Sequence, residues 1–156
     1  MNAHAVPIGA TLSPQEIATR SGSNFLAGFV CLDRERRAGM TTIYAFCRVV
    51  DDAVDDAPDA DTGRRHLSFW RGELAAAAAG APTTPVGRAL HEVIERFGVP
   101  TQSLSDLIDG VSTDLGGGGF ADERDLRRYC FCVASAVGLA CLPVLGATGG
   151  GAERFA

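Results

Sequence analysis

The stretch YAFCRVVDDAVDDAPDAD, residues 44–61, joins an apolar run to a cluster of aspartates. Six aspartates occur in its last eleven residues, and they account for the acidic balance of the whole sequence. Without them the 156 residues include 13 acidic against 14 basic side chains, a net charge of +1 in place of −5. The acidity is therefore local, and it lies directly beside a segment whose pattern is typical of a protein core.

Helical spacing divides this stretch into two neighbouring rows of side chains. The apolar row predicts a core-facing stripe on a helix that Asp33 can cap, and it consists of Ile43, Cys47, Val50 and Val54. The row beside it is polar, and it consists of Tyr44, Arg48, Asp51 and Asp55. One side of the predicted helix is thus equipped for chemistry at the edge of the core.

The carboxylates of Asp51 and Asp55 would lie on successive helical turns and repel each other, and a divalent cation relieves that repulsion. Oxygen ligands suit Mg²⁺, which commonly binds one or two protein carboxylates and completes its shell with water and phosphate oxygens. The row therefore predicts a site for Mg²⁺-bound phosphate, with Arg48 as a further anchor. The alternative for the aspartates alone is a solvated helix end that Pro58 terminates.

Composition places the chain among globular proteins, since 46% of its residues are hydrophobic and 21% are charged. No basic stripe is evident in the sequence, so nucleic-acid binding is not expected. The five cysteines lie mostly in apolar runs without a CxxC pair, which is typical of core thiols in a reducing compartment. The first residues lack the pattern of a secretory signal, and we expect a cytoplasmic protein.

Helix signals recur along the chain and strand signals do not, so the sequence predicts an all-α fold. The expected helix starts are Ser13-Pro14 with a capping box, Asp33, Asp61 or Thr62, Thr84-Pro85, Thr101 and Asp122. Residues 1–12 are expected to form a disordered N-terminal tail, and residues 13–156 to form the helical domain. A helical pattern resumes at Glu153, so we expect the natural fold to continue past residue 156.

A second long apolar run, residues 129–152, contains 24 residues without a charge, which is enough to cross a bilayer. Pro143 interrupts this run and glycines follow it. We therefore expect a buried helix of about 17 residues followed by a turn, in place of a membrane span.

The segment SGSNFLAGFVCLDRERRAGMTTIYAFCRVVDDAVDD, residues 21–56, resembles the N-terminal signature of the squalene and phytoene synthase family. Further matches follow in order: FWRGEL at 69–74, LIDGVSTDL at 107–115 and YCFCVASAVGLACLPVLG at 129–146. The resemblance covers residues 13–156. It implies an all-α isoprenoid synthase bundle, present here as its N-terminal half, that joins two prenyl diphosphates head to head with Mg²⁺.

The resemblance also implies roles for individual residues. Asp51 and Asp55 would be the Mg²⁺ ligands, and Tyr129 would lie near the cation and diphosphate, so these three are the expected catalytic residues. The expected substrate-binding residues are Arg48, Tyr44, Ser23, Asn24 and Phe25, of which Phe25 would line the prenyl channel. The product type leans toward presqualene diphosphate made from two farnesyl diphosphates. Lipidic substrates also suit peripheral association with the inner face of the membrane.

Two departures from the family pattern stand out. Cys132 and Asn24 replace an arginine and a serine that are common in the family, and the second aspartate-rich motif, expected on a helix from about Glu153, is missing. One alternative is therefore a non-catalytic fragment, or a subunit that a second polypeptide completes. Another is a chain-elongating prenyltransferase, whose DDxxD pattern residues 51–55 satisfy. Members of that class usually have an arginine pair close after the motif, whereas here the pair Arg64-Arg65 begins eight residues after Asp56.

Overall fold

Helices follow one another along the chain with short connections, and the computed structural model describes residues 6–7 and 9–147, with all side chains except those of Phe25 and Leu26. These ranges contain no strand, which confirms the all-α prediction. The helices are α1 (Pro14–Ser21), α2 (Phe25–Gly28), α3 (Arg34–Asp55), α4 (Ala60–Ala78), α5 (Pro85–Phe97), α6 (Thr101–Ser112), α7 (Glu123–Cys130) and α8 (Ala136–Leu145). The 3₁₀ segments Phe29–Cys31 and Thr113–Gly116 extend α2 and α6, and the π segment Phe131–Ser135 joins α7 to α8.

Polar side chains cap the helices that the sequence pattern predicts. Each accepts a hydrogen bond from the backbone N–H three residues later, and they are Ser13, Asp33, Asp59, Thr84 and Asp122. The start of α4 differs from the expected Asp61 or Thr62, because Asp59 Oδ1 lies 2.7 Å from the Thr62 nitrogen and fixes the helix start two residues earlier.

Helix α3 lies at the centre of the bundle, where it contacts α1, α4, α5, α6 and α8. Its side chains Ile43, Phe46 and Val50 are at most 1% exposed. They join a cluster that includes fully buried side chains of the surrounding helices, among them Trp70, Leu90, Leu104 and Ile108. Burying one such side chain contributes about 1.5–3 kcal/mol. The expected stripe is therefore core, although its members Cys47 and Val54 are only partly buried.

A buried carboxylate fastens the turn between α4 and α5. Glu73 is 5% exposed, and its oxygens accept hydrogen bonds from the Thr83 nitrogen at 2.6 Å, the Thr83 hydroxyl at 2.7 Å and the Thr84 nitrogen at 2.9 Å. Burial alone would raise the pKa of Glu73, but these hydrogen bonds outweigh it and the pKa is lowered. The charge is thus stabilised inside the fold by the backbone that it organises.

The apolar run forms one continuous helical rod, Glu123–Leu145, that includes α7, the π segment and α8. Pro143 lies inside α8 and does not end it; the rod stops at Gly146, whose φ is 82°. The expected helix is present, but the expectation that it is buried is wrong, because only 22% of its most apolar window is buried. The buried side chains form a single stripe: Cys132, Ala136, Ala140 and Val144. By length and composition the rod could cross a bilayer, which is weak support for a membrane span.

Glycines on two neighbouring helices hold the ends of this stripe. A Cβ atom at Gly110 of α6 would lie 2.6 Å from Cys132 Cβ, and one at Gly39 of α3 would lie 3.0 Å from Val144 Cγ1. The rod therefore approaches α6 near one end more closely than a side chain would allow, and it approaches α3 near the other end at a distance where a side chain would be tight.

Part of the segment expected to be a disordered tail is packed. Gly9 and Ala10 are buried, Leu12 donates its N–H to the Gly9 carbonyl at 3.1 Å, and a Cβ at Gly9 would lie 2.7 Å from Val49 Cγ1. The expected domain boundary at residue 13 is thus too late for residues 9–12, because these residues cover α3. The helical pattern expected from Glu153 lies outside the described residues.

Candidate active site

The acidic end of α3 presents two faces with different neighbours. Asp51 lies on the face toward the end of α6 and toward α7, since Asp55 on its own helix and Asp114 beyond α6 both act on its carboxyl group. Burial and the Asp55 charge raise the pKa of Asp51 to about 6, while Arg48 opposes the shift. The exposed carboxylate of Asp55 thus repels the half-buried carboxylate of Asp51, which is a repulsion that a cation would relieve.

The second face of this helix end is directed toward α1. Arg48 forms an ion pair with Asp52, with 2.5 Å between Nη2 and Oδ1, one turn apart on the helix. Burial raises the pKa of Asp52, and Arg48 acts against that shift. Both residues line a cavity of about 210 Å³ that also includes Arg20 and Ser21 of α1. The predicted row therefore splits, because Arg48 is paired with Asp52 and Asp51 faces a different set of groups.

Tyr44, one turn before Arg48, connects α3 to the end of α1. Its hydroxyl donates to Ser21 Oγ at 2.8 Å, and the Ser23 backbone N–H donates to the same oxygen at 3.4 Å. Asn24 is exposed and its carbonyl accepts the Ala27 N–H at 3.1 Å. The structure therefore brings Tyr44 and Ser23 to one place beside the Arg48 cavity. The side chain of Phe25 lies outside the described residues, so its expected role in the channel stays a prediction.

Tyr129, at the end of α7, meets a partner that the sequence analysis did not single out. Its hydroxyl donates to Asp114 Oδ2 at 3.2 Å. Burial raises the pKa of Tyr129, and the charges of Asp114 and of Asp51 raise it further. Tyr129 and the acid pair of α3 thus share one electrostatic environment. Asp114 is the second-to-last residue of the quoted motif LIDGVSTDL, and its place in that motif was the available signal.

A cavity of about 760 Å³ opens beside Tyr129, between the end of α6 and the start of α7. Its volume is within the range of small-molecule pockets, about 300–1,000 Å³. The charged residues in its wall are Asp109, Asp114, Asp125 and Arg128, and apolar surface is provided by Tyr129, Phe120 and Cys132. The cavity therefore suits a molecule with an apolar body and a polar end that carries or binds a cation.

The donor set of the acid pair fits Mg²⁺. Among the described residues no group of three or more His, Cys, Asp or Glu side chains could hold a metal ion. Asp51 and Asp55 are two oxygen donors, and Mg²⁺ is usually bound by one or two carboxylates together with substrate phosphates. The raised pKa of Asp51, about 6, shows that its charge lacks compensation in the metal-free protein.

Comparisons with known proteins point to one family. Residues 18–156 match the squalene/phytoene synthase family. The chain is 35% identical over 147 residues to a presqualene diphosphate synthase from Rhodopseudomonas palustris, covering 94% of this chain and 51% of the relative. It is 31% identical over 132 residues to a 15-cis-phytoene synthase from Synechococcus elongatus, covering 85% of this chain and 43% of the relative.

Solved structures show the same fold. A squalene synthase from Alicyclobacillus acidocaldarius superposes with a TM-score of 0.77 at 33% identity, covering 90% of this chain and 53% of that chain. A dehydrosqualene synthase in complex with ligand gives a TM-score of 0.75 at 30% identity, covering 84% of this chain and 45% of that chain.

The fold and the acid-bearing site thus define an isoprenoid-synthase-like helical protein. The chain belongs to the squalene/phytoene synthase family. It spans about half the length of the Rhodopseudomonas relative and less of the Synechococcus one.

Proposed function

We propose that this chain is the part of a prenyltransferase that binds and ionises a prenyl diphosphate in the Mg²⁺-dependent, head-to-head condensation of two farnesyl diphosphates to presqualene diphosphate. The observation that carries the proposal is the acid pair of half-buried Asp51 and exposed Asp55, with Asp51 in the same electrostatic environment as Tyr129 and Asp114. The higher identity and coverage with the presqualene diphosphate synthase than with the phytoene synthase support the farnesyl substrate and a route to hopanoids over carotenoids.

In the proposed reaction, the C1–O bond of one farnesyl diphosphate breaks and pyrophosphate leaves with the electron pair. The double bond of the second molecule attacks the allylic cation, and loss of a proton closes a cyclopropane ring. Mg²⁺, when bound, would neutralise charge on the leaving pyrophosphate. Asp51 and Asp55 would hold that ion, while Arg48 would contact the diphosphate after exchanging its bond to Asp52 for one to phosphate.

Tyr129 has the clearest role in the chemistry of the carbon chain. The phenol is protonated at neutral pH, since its pKa is raised above a value that is ordinarily about 10, so the ring would lie beside the cation without a competing phenolate nucleophile. Asp114 fixes the direction of the hydroxyl. The hydrogen bond from Tyr129 to Asp114 therefore orients the ring. At the end of α1, the diphosphate would be surrounded by Tyr44, Ser23 and Asn24.

We place this enzyme in the cytoplasm, at the inner face of the membrane, because its substrates and product are lipids.

A specific observation favours a second candidate. The chain covers 31–51% of the length of the relatives it matches, so its activity can depend on a further polypeptide that supplies the second aspartate motif. In that case the chain would bind Mg²⁺ and prenyl diphosphate without turnover. A chain-elongating reaction has no such support, because the matched family is that of squalene and phytoene synthases.

Pyrophosphate release from farnesyl diphosphate and Mg²⁺ tests the proposal. The wild-type chain is compared with Asp51→Asn and with Asp61→Asn, an exposed aspartate on α4, as a matched control. We expect release that Asp51→Asn abolishes and Asp61→Asn retains, with presqualene diphosphate identified by its mass. Binding of Mg²⁺ and substrate without release would assign the chain to the subunit class, and no binding by the folded chain would refute both candidates.

A further inference from the structure

Four consecutive glycines, residues 116–119, connect the 3₁₀ extension of α6 to the segment before α7. Among them only Gly117 has a positive φ, 60°. A Cβ atom at Gly116 or Gly119 would meet nothing within 4 Å, and one at Gly118 would meet only the Gly116 carbonyl oxygen at 3.9 Å. Neither close packing nor backbone angle thus requires glycine at three of these positions. What the glycines do provide is conformational freedom of the backbone.

Phe120 follows this segment directly and is 44% exposed. Its ring lies against the ring of Tyr129, with 5.1 Å between the centroids and 47° between the planes. A large aromatic side chain held at the surface beside a functional residue points to a binding surface.

The same segment forms one wall of the 760 Å³ cavity. Gly116, Gly118, Gly119 and Phe120 line it, and Tyr129 lines it as well. A movement of the glycine segment would therefore change the position of Phe120 relative to Tyr129 and the shape of the cavity.

We propose that Phe120 is a contact residue for the prenyl chain of the bound substrate, and that the flexible segment Gly116–Gly119 allows its ring to close over that chain. The inference rests on the proposed function. A diphosphate at the acid pair of α3 places the first carbons of the prenyl chain near Tyr129, and the chain then continues along the cavity toward Phe120. Closure buries the exposed ring, and it keeps water away from the allylic carbon.

Calorimetric binding of farnesyl thiodiphosphate, an analogue that ionises very slowly, tests the contact in the presence of Mg²⁺. We expect Phe120→Ala to weaken binding roughly 10- to 100-fold, because the contact of one phenylalanine ring is lost. Inorganic pyrophosphate, which has no prenyl chain, should bind Phe120→Ala and wild type equally.

Phe131→Ala is the matched control, since Phe131 is 45% exposed but does not line the cavity. It should bind both ligands like the wild type. Phe120→Leu, which keeps an apolar side chain of similar size, should lie between wild type and Phe120→Ala. Fluorescence of Trp70, the sole tryptophan, verifies that each variant is folded.

Hydrogen exchange tests the role of the glycines. In the wild type, residues 116–121 should exchange more slowly once farnesyl thiodiphosphate is bound, and pyrophosphate alone should leave their exchange unchanged. Replacing both Gly118 and Gly119 with alanine, which meets no steric obstacle, should slow association of the prenyl analogue.

The outcomes separate the two proposals. The prenyl contact would be overturned if Phe120→Ala and Phe131→Ala lost the same affinity for farnesyl thiodiphosphate. It would also be overturned if Phe120→Ala lost the same affinity for both ligands. Either result would leave the proposed function standing. The contact would also be overturned if the wild type bound pyrophosphate as tightly as farnesyl thiodiphosphate. If the folded wild-type chain bound neither farnesyl thiodiphosphate nor pyrophosphate, the inference would be overturned together with the proposed function.

Discussion

The Tyr129 hydroxyl donates a hydrogen bond to Asp114 Oδ2 at 3.2 Å, so a residue of the 3₁₀ segment that extends α6 fixes the direction of the phenol at the end of α7. This hydrogen bond joins two segments that lie on either side of the four glycines at 116–119. The charge of Asp114 also contributes to the raised pKa of Tyr129, after burial itself.

We therefore predict that Asp114→Asn lowers the pKa of Tyr129, because removing a nearby negative charge makes the phenolate easier to form. Ultraviolet titration of phenolate absorbance measures this, since the chain has only two tyrosines and Tyr129→Phe identifies the signal. An unchanged titration in Asp114→Asn would show that Asp114 does not act on Tyr129.

The metal-free protein should become less stable as pH rises through the titration of Asp51. Its pKa is raised from 3.8 to about 6, so the folded chain binds this proton more tightly than the unfolded chain. Stability therefore falls as pH rises between these two values, and the ionised carboxylate remains unfavourable above them.

Asp51→Asn should remove that slope and unfold at higher denaturant than the wild type near neutral pH. Urea unfolding in the presence of a chelator, followed by Trp70 fluorescence, measures the effect. Asp56→Asn, an exposed position at the end of α3, should retain the slope. An identical pH dependence of stability in the wild type and in Asp51→Asn would contradict the assignment, because the other carboxyl groups contribute equally to both proteins.

Glu73→Gln should destabilise the chain by about 1–3 kcal/mol at neutral pH, because the amide places its NH₂ group against the Thr83 hydroxyl and loses the charge that strengthens all three hydrogen bonds. The pKa of Glu73 is lowered from 4.5, so the stabilisation is present above this pH and is lost as pH falls through the lower, folded-state pKa. The difference between the two proteins should therefore shrink in acid.

Chemical denaturation across pH measures this difference. Glu95→Gln, on the exposed face of α5, should change stability by no more than about 0.5 kcal/mol. A loss in Glu73→Gln that stayed constant down to acid pH would indicate a steric cause.

Gly110→Ala should destabilise the chain by about 1–3 kcal/mol, because the new methyl group would lie 2.6 Å from Cys132 Cβ and push the π segment away from α6. Gly72→Ala on α4 meets nothing within 4 Å, so it should gain roughly 0.5–1 kcal/mol from helix propensity. Thermal unfolding of the two variants gives the comparison, and equal effects would refute the close approach.

Local signals carried the prediction of the fold. Caps such as Asp33 and Thr84 act within three residues, and so they can be read directly from the sequence. The α4 start was misplaced because several aspartates compete for the cap and only the backbone decides in favour of Asp59.

The candidate site was predictable only in part. Asp51 and Asp55 follow from helical spacing, whereas the pairing of Arg48 with Asp52 depends on which neighbours each face of α3 meets. Asp114 reaches Tyr129 through tertiary contact, which no spacing rule encodes. The extent of burial along the apolar rod likewise depends on how many helices surround it.

The narrow stripe on that rod has one more consequence. Its central members, Ala136 and Ala140, are fully buried, and its ends rest against Gly110 and Gly39. The spacing of the rod from α6 and α3 is therefore limited by methyl-sized groups, and Tyr129 lies on the same rod. A displacement of about 1 Å can cost roughly 100-fold in rate. In the proposed reaction, the position of Tyr129 would thus depend on alanines of the rod as well as on the residues of the site.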